Sequence, residues 1–90
     1  MKNKYKNIDV YTRVLMVYLT EKRICHKVSV EEMAEYIGIT VNHLKAIEVN
    51  GVMGHCDIPT TMLLDYMDRL DLDYSTTFKE VNRRCLEELN

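Results

Sequence analysis

The spacing of apolar residues along the chain predicts a series of short amphipathic helices. In the first of them, apolar residues recur every three or four positions, which is the period of one buried helix face. Asn7 or Asp9 can cap its start, and its end falls within residues 23–26. Its predicted buried face consists of Val10, Val14, Leu15, Val17, Tyr18 and Leu19.

The twenty residues from Val30 have the spacing of two helices that cross around a shared apolar contact. Ala34 is small enough for the second helix to approach closely, and Gly38 can adopt the positive φ angle of a tight turn. The pattern therefore predicts a helix over 30–37, a turn, and a second helix over 41–49. Its inward-facing side chains are Met33, Ala34, Ile37, Ile39, Leu44 and Ile47.

Two more helices are predicted in the remainder of the chain. Gly51 ends the second helix of the pair, and a loop over 52–57 follows. The next helix has a cap at Thr60 or Thr61, and its predicted buried residues are Leu63, Leu64, Met67 and Leu70. A turn over 71–73 leads to a last helix that extends to residue 89. Its apolar stripe consists of Phe78, Val81, Cys85 and Leu89, with Leu86 at the edge.

The run VSVEEMAEYIGITVNHLKAIEVNG, which starts at Val28, resembles the core of a Cro/repressor-type helix-turn-helix domain. This XRE-like family consists of bacterial and phage regulators. After a loop, IPT followed by TMLLDYMDRLDLDYSTTF is similar to the fourth helix and the start of the fifth in that family. The resemblance implies an all-α, compact five-helix lambda-repressor-like domain with its helix-turn-helix at helices two and three. It also implies binding of operator DNA, usually as a dimer.

The resemblance places the outward face of the helix over 41–49 in the DNA major groove. Asn42 can then pair with an adenine edge through two hydrogen bonds, and Lys45 can reach a guanine edge or a phosphate. Val41 and Ala46 can contact a thymine methyl group, and His43 suits a phosphate or a base acceptor.

Phosphate contacts are also expected outside that helix. Ser29 lies at a helix N-terminus, where free N–H groups and a partial positive charge favour anions, and Lys27 precedes it. Thr40 has the same position at the start of the next helix. The basic segment 1–7 is interpreted either as a flexible arm along the DNA or as a solubilising end; its lysines are Lys2, Lys4 and Lys6.

The recognition helix is poor in basic residues, because Lys45 is its only lysine or arginine. Few phosphate contacts predict modest affinity unless two copies bind together. The apolar stripe at the end of the last helix can pack against its own core or against a second copy. We expect the second, a homodimer contact at Cys85, Leu86 and Leu89. Glu48 is expected to be structural and to pair with Arg23 or Arg13.

Composition agrees with one globular domain over residues 1–90. The chain is 47% hydrophobic and 29% charged, and no apolar run reaches the roughly twenty residues that cross a bilayer. Without an apolar leader at its N-terminus, we expect a cytoplasmic protein. The net charge is −2, distributed as +5 over residues 1–28, −3 over 29–56 and −4 over 57–90.

The cysteines do not suggest a metal centre. Cys25, Cys56 and Cys85 are widely spaced, and no CxxC pair is present, so they are expected to be reduced thiols. The adjacent pairs Cys25–His26 and His55–Cys56 raise a zinc hypothesis, but neighbouring side chains rarely converge on one ion. We expect no metal and no cofactor.

The sequence leaves two functions open. The first is a DNA-binding transcription regulator, and the second is a protein-interaction module, such as an antirepressor or phage-encoded inhibitor, on the same scaffold. An enzyme is not expected, because Glu31, Glu32 and Glu35 fall on a solvent-facing helix surface instead of in a pocket. Three methionines are expected in the core: Met33, Met62 and Met67.

Overall fold

The computed structural model describes the backbone of residues 2–50 and 60–89 and the side chains of residues 10–49 and 60–87. Within these ranges the chain forms helices and turns and no strand. The helices are α1 (Lys2–Cys25), α2 (Val30–Ile37), α3 (Val41–Asn50), α4 (Thr60–Arg69) and α5 (Tyr74–Leu89). The predicted all-α class is confirmed, and the bounds of α2, α3 and α5 agree with the sequence pattern to within one residue.

The helix α1 is longer than predicted, because it begins at Lys2 and not near Asn7. No glycine or proline interrupts its first turns, and lysine is a good helix former. The backbone of residues 2–7 in the basic N-terminal segment is therefore helical. The side chains of Lys2, Lys4 and Lys6 lie outside the described residues, as do the predicted loop 52–57 with its His55–Cys56 pair and the side chain of Leu89.

The core lies where α1 packs against α3 and α5, and where α2 packs against α3 and α4. The predicted inward residues Met33, Ala34, Leu44 and Ile47 are all at most 1% exposed. Two core methionines are also confirmed, because Met62 and Met67 are buried. Since α3 touches both α1 and α2, its inner side is held between them.

Two positions of α1 differ from the prediction. Val17 is 44% exposed, whereas Met16, which the pattern did not include, is 1% exposed. The reason is that α1 packs against both α3 and α5. Its buried surface is therefore wider than the single stripe that the apolar spacing predicts.

The buried face of α4 also differs from the prediction. Tyr66, which the pattern did not include, is buried, whereas Leu63 and Leu64 are only half-buried. Tyr66 can replace a leucine in the core because its hydroxyl group finds a hydrogen-bond acceptor there, which satisfies its only polar atom.

The position of Cys85 corrects part of the expected dimer contact. Cys85 is 7% exposed and continues the row of Thr77 and Val81, which are 1% and 0% exposed. This row of every fourth residue lies on the side of α5 that packs within the chain. Cys85 is therefore a core residue of its own chain, while Leu86, one position further around the helix, is 64% exposed.

Three helices end in the same way, with one residue at positive φ followed by an apolar residue. The φ angles are 60° at Lys27 after α1, 90° at Gly38 after α2 and 55° at Asp71 after α4. In each case the N–H of the next residue donates to a carbonyl five positions back: Val28 to Arg23 at 3.1 Å, Ile39 to Ala34 at 3.0 Å and Leu72 to Met67 at 3.0 Å. These are Schellman-type ends, in which the apolar residue also packs against the core.

Within the described part of the chain, no helix has both the length and the apolar character needed to span a membrane.

The turn between α2 and α3 leads to a test at Gly38. Its φ of 90° is unfavourable for any residue with a Cβ, but an added Cβ would meet no atom within 4 Å. Gly38→Ala should therefore lower the free energy of unfolding by about 1 kcal/mol through backbone strain alone. Gly38→Asn should cost less, because asparagine tolerates this conformation better. Equal losses from both variants in urea unfolding would contradict this explanation.

Candidate nucleic-acid interface

The outward face of α3 is separated from its buried side as the sequence predicts. Leu44 and Ile47 are fully buried, whereas Asn42, Lys45 and Ala46 are exposed. The same outer surface continues to Val49, which is 79% exposed, and the half-buried residues Val41 and His43 flank it. One short helix therefore presents an amide, an ammonium group and small apolar side chains to solvent.

The start of α3 is capped by Thr40. Its Oγ1 accepts a hydrogen bond from the backbone N–H of His43 at 3.1 Å, and its carbonyl accepts from Leu44 N at 3.0 Å. The first turn contains no acidic residue, so nothing within it offsets the positive end of the helix dipole. This helix start is electrostatically suited to an anion.

The start of α2 is arranged differently. The Glu32 N–H donates to Ser29 Oγ at 3.0 Å, and the Ser29 N–H donates to the Glu32 carboxylate at 3.4 Å, which forms a capping box. Glu31 and Glu32 both lie in the first turn. Ser29 therefore caps α2 as predicted and its hydroxyl can still donate, but the two carboxylates make this helix start less favourable for a phosphate than that of α3.

Lys27 lies just before this capping box, with an exposed side chain. Its backbone is held in place because the carbonyl of the next residue, Val28, accepts a hydrogen bond from Arg23 Nη1 at 2.9 Å. The predicted contact residues thus fall into two groups. Thr40, Val41, Asn42, His43, Lys45 and Ala46 lie on or next to α3, while Lys27 and Ser29 precede α2.

A hydrogen-bonded ion pair joins α3 to the helices behind it. Arg23 on α1 donates to both carboxylate oxygens of Glu48 on α3, from Nε at 2.8 Å and from Nη2 at 3.0 Å. Tyr66 on α4 donates its hydroxyl to Glu48 Oε2 at 2.6 Å. Of the two pairings considered for Glu48, the pair with Arg23 is confirmed.

This network is sheltered from water. The side chains of Arg23 and Glu48 are 13% and 7% exposed, and Tyr66 is 1% exposed. The hydrogen bond to Glu48 raises the pKa of Arg23 despite partial burial. Burial, followed by the hydrogen bond to Glu48, raises the pKa of the Tyr66 phenol. The arginine stays charged and the phenol stays neutral at physiological pH, so the network keeps one arrangement.

Tyr66 is a hydrogen-bond partner of Glu48 that the sequence pattern did not reveal. Its position in α4, four residues after Met62, is compatible with burial, and a buried tyrosine usually requires a hydrogen-bond partner. That signal shows that a partner exists but does not identify it, because Glu48 lies on a different helix.

Comparison with known proteins adds no relative. No family model matches the chain, and no curated protein or solved structure is significantly similar to it. The geometry of α2 and α3 and the network that holds them are therefore the basis for assigning a function.

The network generates a prediction about stability and pH. Tyr66→Phe removes a hydrogen bond to a buried carboxylate, so it should lower the free energy of unfolding by about 1.5–3 kcal/mol near neutral pH. Because the folded pKa of Tyr66 is raised, this stabilisation is complete below the unfolded value of about 10 and decreases as the pH rises above it. Urea unfolding should therefore show a smaller difference between wild type and variant at about pH 11 than at about pH 7.

Tyr36→Phe is the matched control, because Tyr36 is 53% exposed. It should change the free energy of unfolding by less than about 0.5 kcal/mol. A Tyr66→Phe deficit that is the same at both pH values would contradict the assigned role of the phenol.

Proposed function

We propose that this protein is a sequence-specific DNA-binding transcription regulator of the Cro/repressor type. In this proposal α2 and α3 are the helix-turn-helix of a lambda-repressor-like domain, and α3 enters the major groove. The observation that carries the proposal is the solvent-facing side of α3, whose opposite side is buried and whose Glu48 is tied to α1 and α4.

The dimensions and chemistry of α3 support base recognition. A helix of ten residues is about 15 Å long, and the major groove admits a helix of this kind. Asn42 lies in the first turn, where its amide can pair with an adenine edge, and Lys45 is one turn further on. Ala46 and Val41 offer methyl groups to thymine. His43, beside Asn42, suits a phosphate or a base acceptor.

Phosphate contacts would position this helix. The start of α3 at Thr40 offers backbone N–H groups and a partial positive charge without a nearby acid in its first turn. Lys27 and the Ser29 hydroxyl extend the contact along the backbone. Since this set contains few cations, we expect a shallow dependence of affinity on salt for one copy.

A dimer compensates for the small number of contacts, because two copies can read half-sites about one helical turn, roughly 34 Å, apart. Leu86 on α5 is 64% exposed, and an apolar side chain this exposed can form a contact with a second copy. Leu89 belongs to the same proposed contact.

One observation favours a second candidate. Val49 is 79% exposed and Ala46 is also exposed, so the outer face of α3 has a substantial apolar component next to a single lysine. Such a surface also suits a protein-interaction module on the same scaffold, an antirepressor or phage-encoded inhibitor, that binds little or no DNA.

The two candidates are separated by DNA-binding measurements. The preferred duplex is first selected from a random library, and its binding is then measured by fluorescence anisotropy at two salt concentrations. Asn42→Ala should remove about 1–3 kcal/mol of discrimination at one base pair. Lys45→Ala should weaken binding to every sequence and lower the salt slope by about 1.

Asn82→Ala and Lys79→Ala are the matched controls, because both side chains are exposed on α5. They should leave affinity and specificity unchanged. Absence of binding to any duplex at low salt would reject the regulator and favour the interaction module.

The dimer is tested separately by Leu86→Glu. Placing a carboxylate in an apolar contact should shift the sedimenting species from dimer to monomer, with helix content unchanged because Leu86 is exposed. Ile24→Glu makes a comparable change at an exposed apolar residue of α1, which is 62% exposed, and should not change the mass. If wild type and Leu86→Glu sediment alike, the proposed contact is wrong.

A further inference from the structure

A shallow groove of about 400 Å³ lies between α2 and the end of α4. It is lined by Glu32, Glu35, Tyr36 and Arg69. None of these residues belongs to the outward face of α3, so the groove is distinct from the proposed DNA-reading surface. Its chemistry is acidic and aromatic, which is unfavourable for a nucleic-acid backbone.

Negative charge continues beyond the lining residues. Asp68 on α4 accepts a hydrogen bond from the Tyr74 hydroxyl at 2.6 Å. That hydrogen bond raises the pKa of Tyr74, with smaller contributions from burial and from the charges of Asp68 and Asp65. Asp65 lies one helical turn before Asp68 on the exposed side of α4. With Glu32 and Glu35, the surface carries four carboxylates and a single described guanidinium, that of Arg69.

The groove also exposes aromatic surface. Tyr36, the tyrosine that lines it, is 53% exposed, whereas Tyr18 and Tyr66 are 6% and 1% exposed. An exposed tyrosine ring beside carboxylates is favourable for a cation, because the ring face and the acids both attract positive charge.

Elsewhere in the protein, a tyrosine ring beside carboxylates already binds a cation. The Arg84 guanidinium lies 5.0 Å from the centre of the Tyr18 ring and also donates to the Glu21 carboxylate at 3.1 Å and the Glu80 carboxylate at 2.9 Å. Tyr36 has the ring and the neighbouring acids of that arrangement, but no lysine or arginine of the described residues lies over its ring.

Arg69, the one cation among the described residues that line the groove, is weakly held. Arg69 reaches Glu32 at 3.4 Å, and the two side chains are 35% and 56% exposed. An exposed pair of this kind contributes little stability, so an incoming cation can replace it.

We propose that this groove binds a basic polypeptide segment of a partner protein, with an arginine side chain over the Tyr36 ring and against the Glu35 carboxylate. The carboxylates are distributed over two helices, so several linked cations match them better than a single small cation does. This inference does not depend on DNA binding, because it uses other residues and a ligand of opposite charge.

Fluorescein-labelled octa-arginine is the probe, and its anisotropy is followed at physiological ionic strength with the full chain. Tyr36→Ala should weaken binding about two- to five-fold, while Tyr36→Phe, which retains the ring, should preserve it. Glu35→Gln should weaken binding by a similar factor. Arg69→Gln should strengthen binding, because it removes the cation that competes for Glu32.

Two variants on α5 control for overall charge. Glu87→Gln matches Glu35→Gln and Lys79→Gln matches Arg69→Gln, and both side chains are exposed. In nuclear magnetic resonance titrations, the amides of Glu32, Tyr36 and Arg69 should shift while that of Lys45 stays in place.

Three outcomes would overturn the proposal: no binding of octa-arginine, wild-type affinity in Tyr36→Ala, or effects of the α5 variants equal to those of their groove counterparts. Duplex-DNA affinity should not change in Tyr36→Ala. Loss of DNA binding by Asn42→Ala and Lys45→Ala would leave the groove proposal intact, so the two proposals fail separately.

Discussion

The ion pair between Arg23 and Glu48, completed by the Tyr66 hydroxyl, is the interaction on which the arrangement of this protein depends. It connects α1, α3 and α4, and a further hydrogen bond from Arg23 fixes the Val28 carbonyl just before α2. Burying two charges is favourable only when their geometry and hydrogen bonds are good, and here both carboxylate oxygens are satisfied. The position of α3 is thereby defined by directional bonds in addition to apolar packing.

That fixed position matters because α3 is short. With ten residues it has little stability of its own, and its two innermost side chains, Leu44 and Ile47, define a face but not a unique rotation about the helix axis. Glu48, next to Ile47, selects the rotation that points Asn42 and Lys45 to solvent. Recognition of a groove requires such rigidity, since a loosely held helix would lose binding free energy on ordering.

The distribution of charge divides the surface into regions with different chemistry. The exposed side of α3 is nearly neutral with one lysine, whereas the groove between α2 and α4 is acidic and exposes the Tyr36 ring. A third region, where Arg84 lies over Tyr18 and contacts Glu21, is already satisfied within the chain. The ligand proposed for α3 is an anion and the one proposed for the groove is a cation, so the two regions can act independently.

The local sequence determined the bounds of α2, α3 and α5, and the caps and the turn of the helix pair α2 and α3. Ser29 and Thr40 cap α2 and α3 through contacts three residues apart, and Gly38 turns the chain as expected. These features involve near neighbours, so periodicity and residue type suffice to predict them. The turn at Asp71 adopts positive φ without a glycine, because an apolar residue follows and caps the helix by packing.

Only the tertiary structure decided which long-range partners meet. Periodicity cannot show that Met16 is buried and Val17 exposed, because that depends on α1 packing against two helices at once. It cannot assign Tyr66 to Glu48, or place Cys85 in the core of its own chain, for the same reason. A helical stripe reports that a face is covered, whereas the identity of the covering element depends on how distant segments pack together in space.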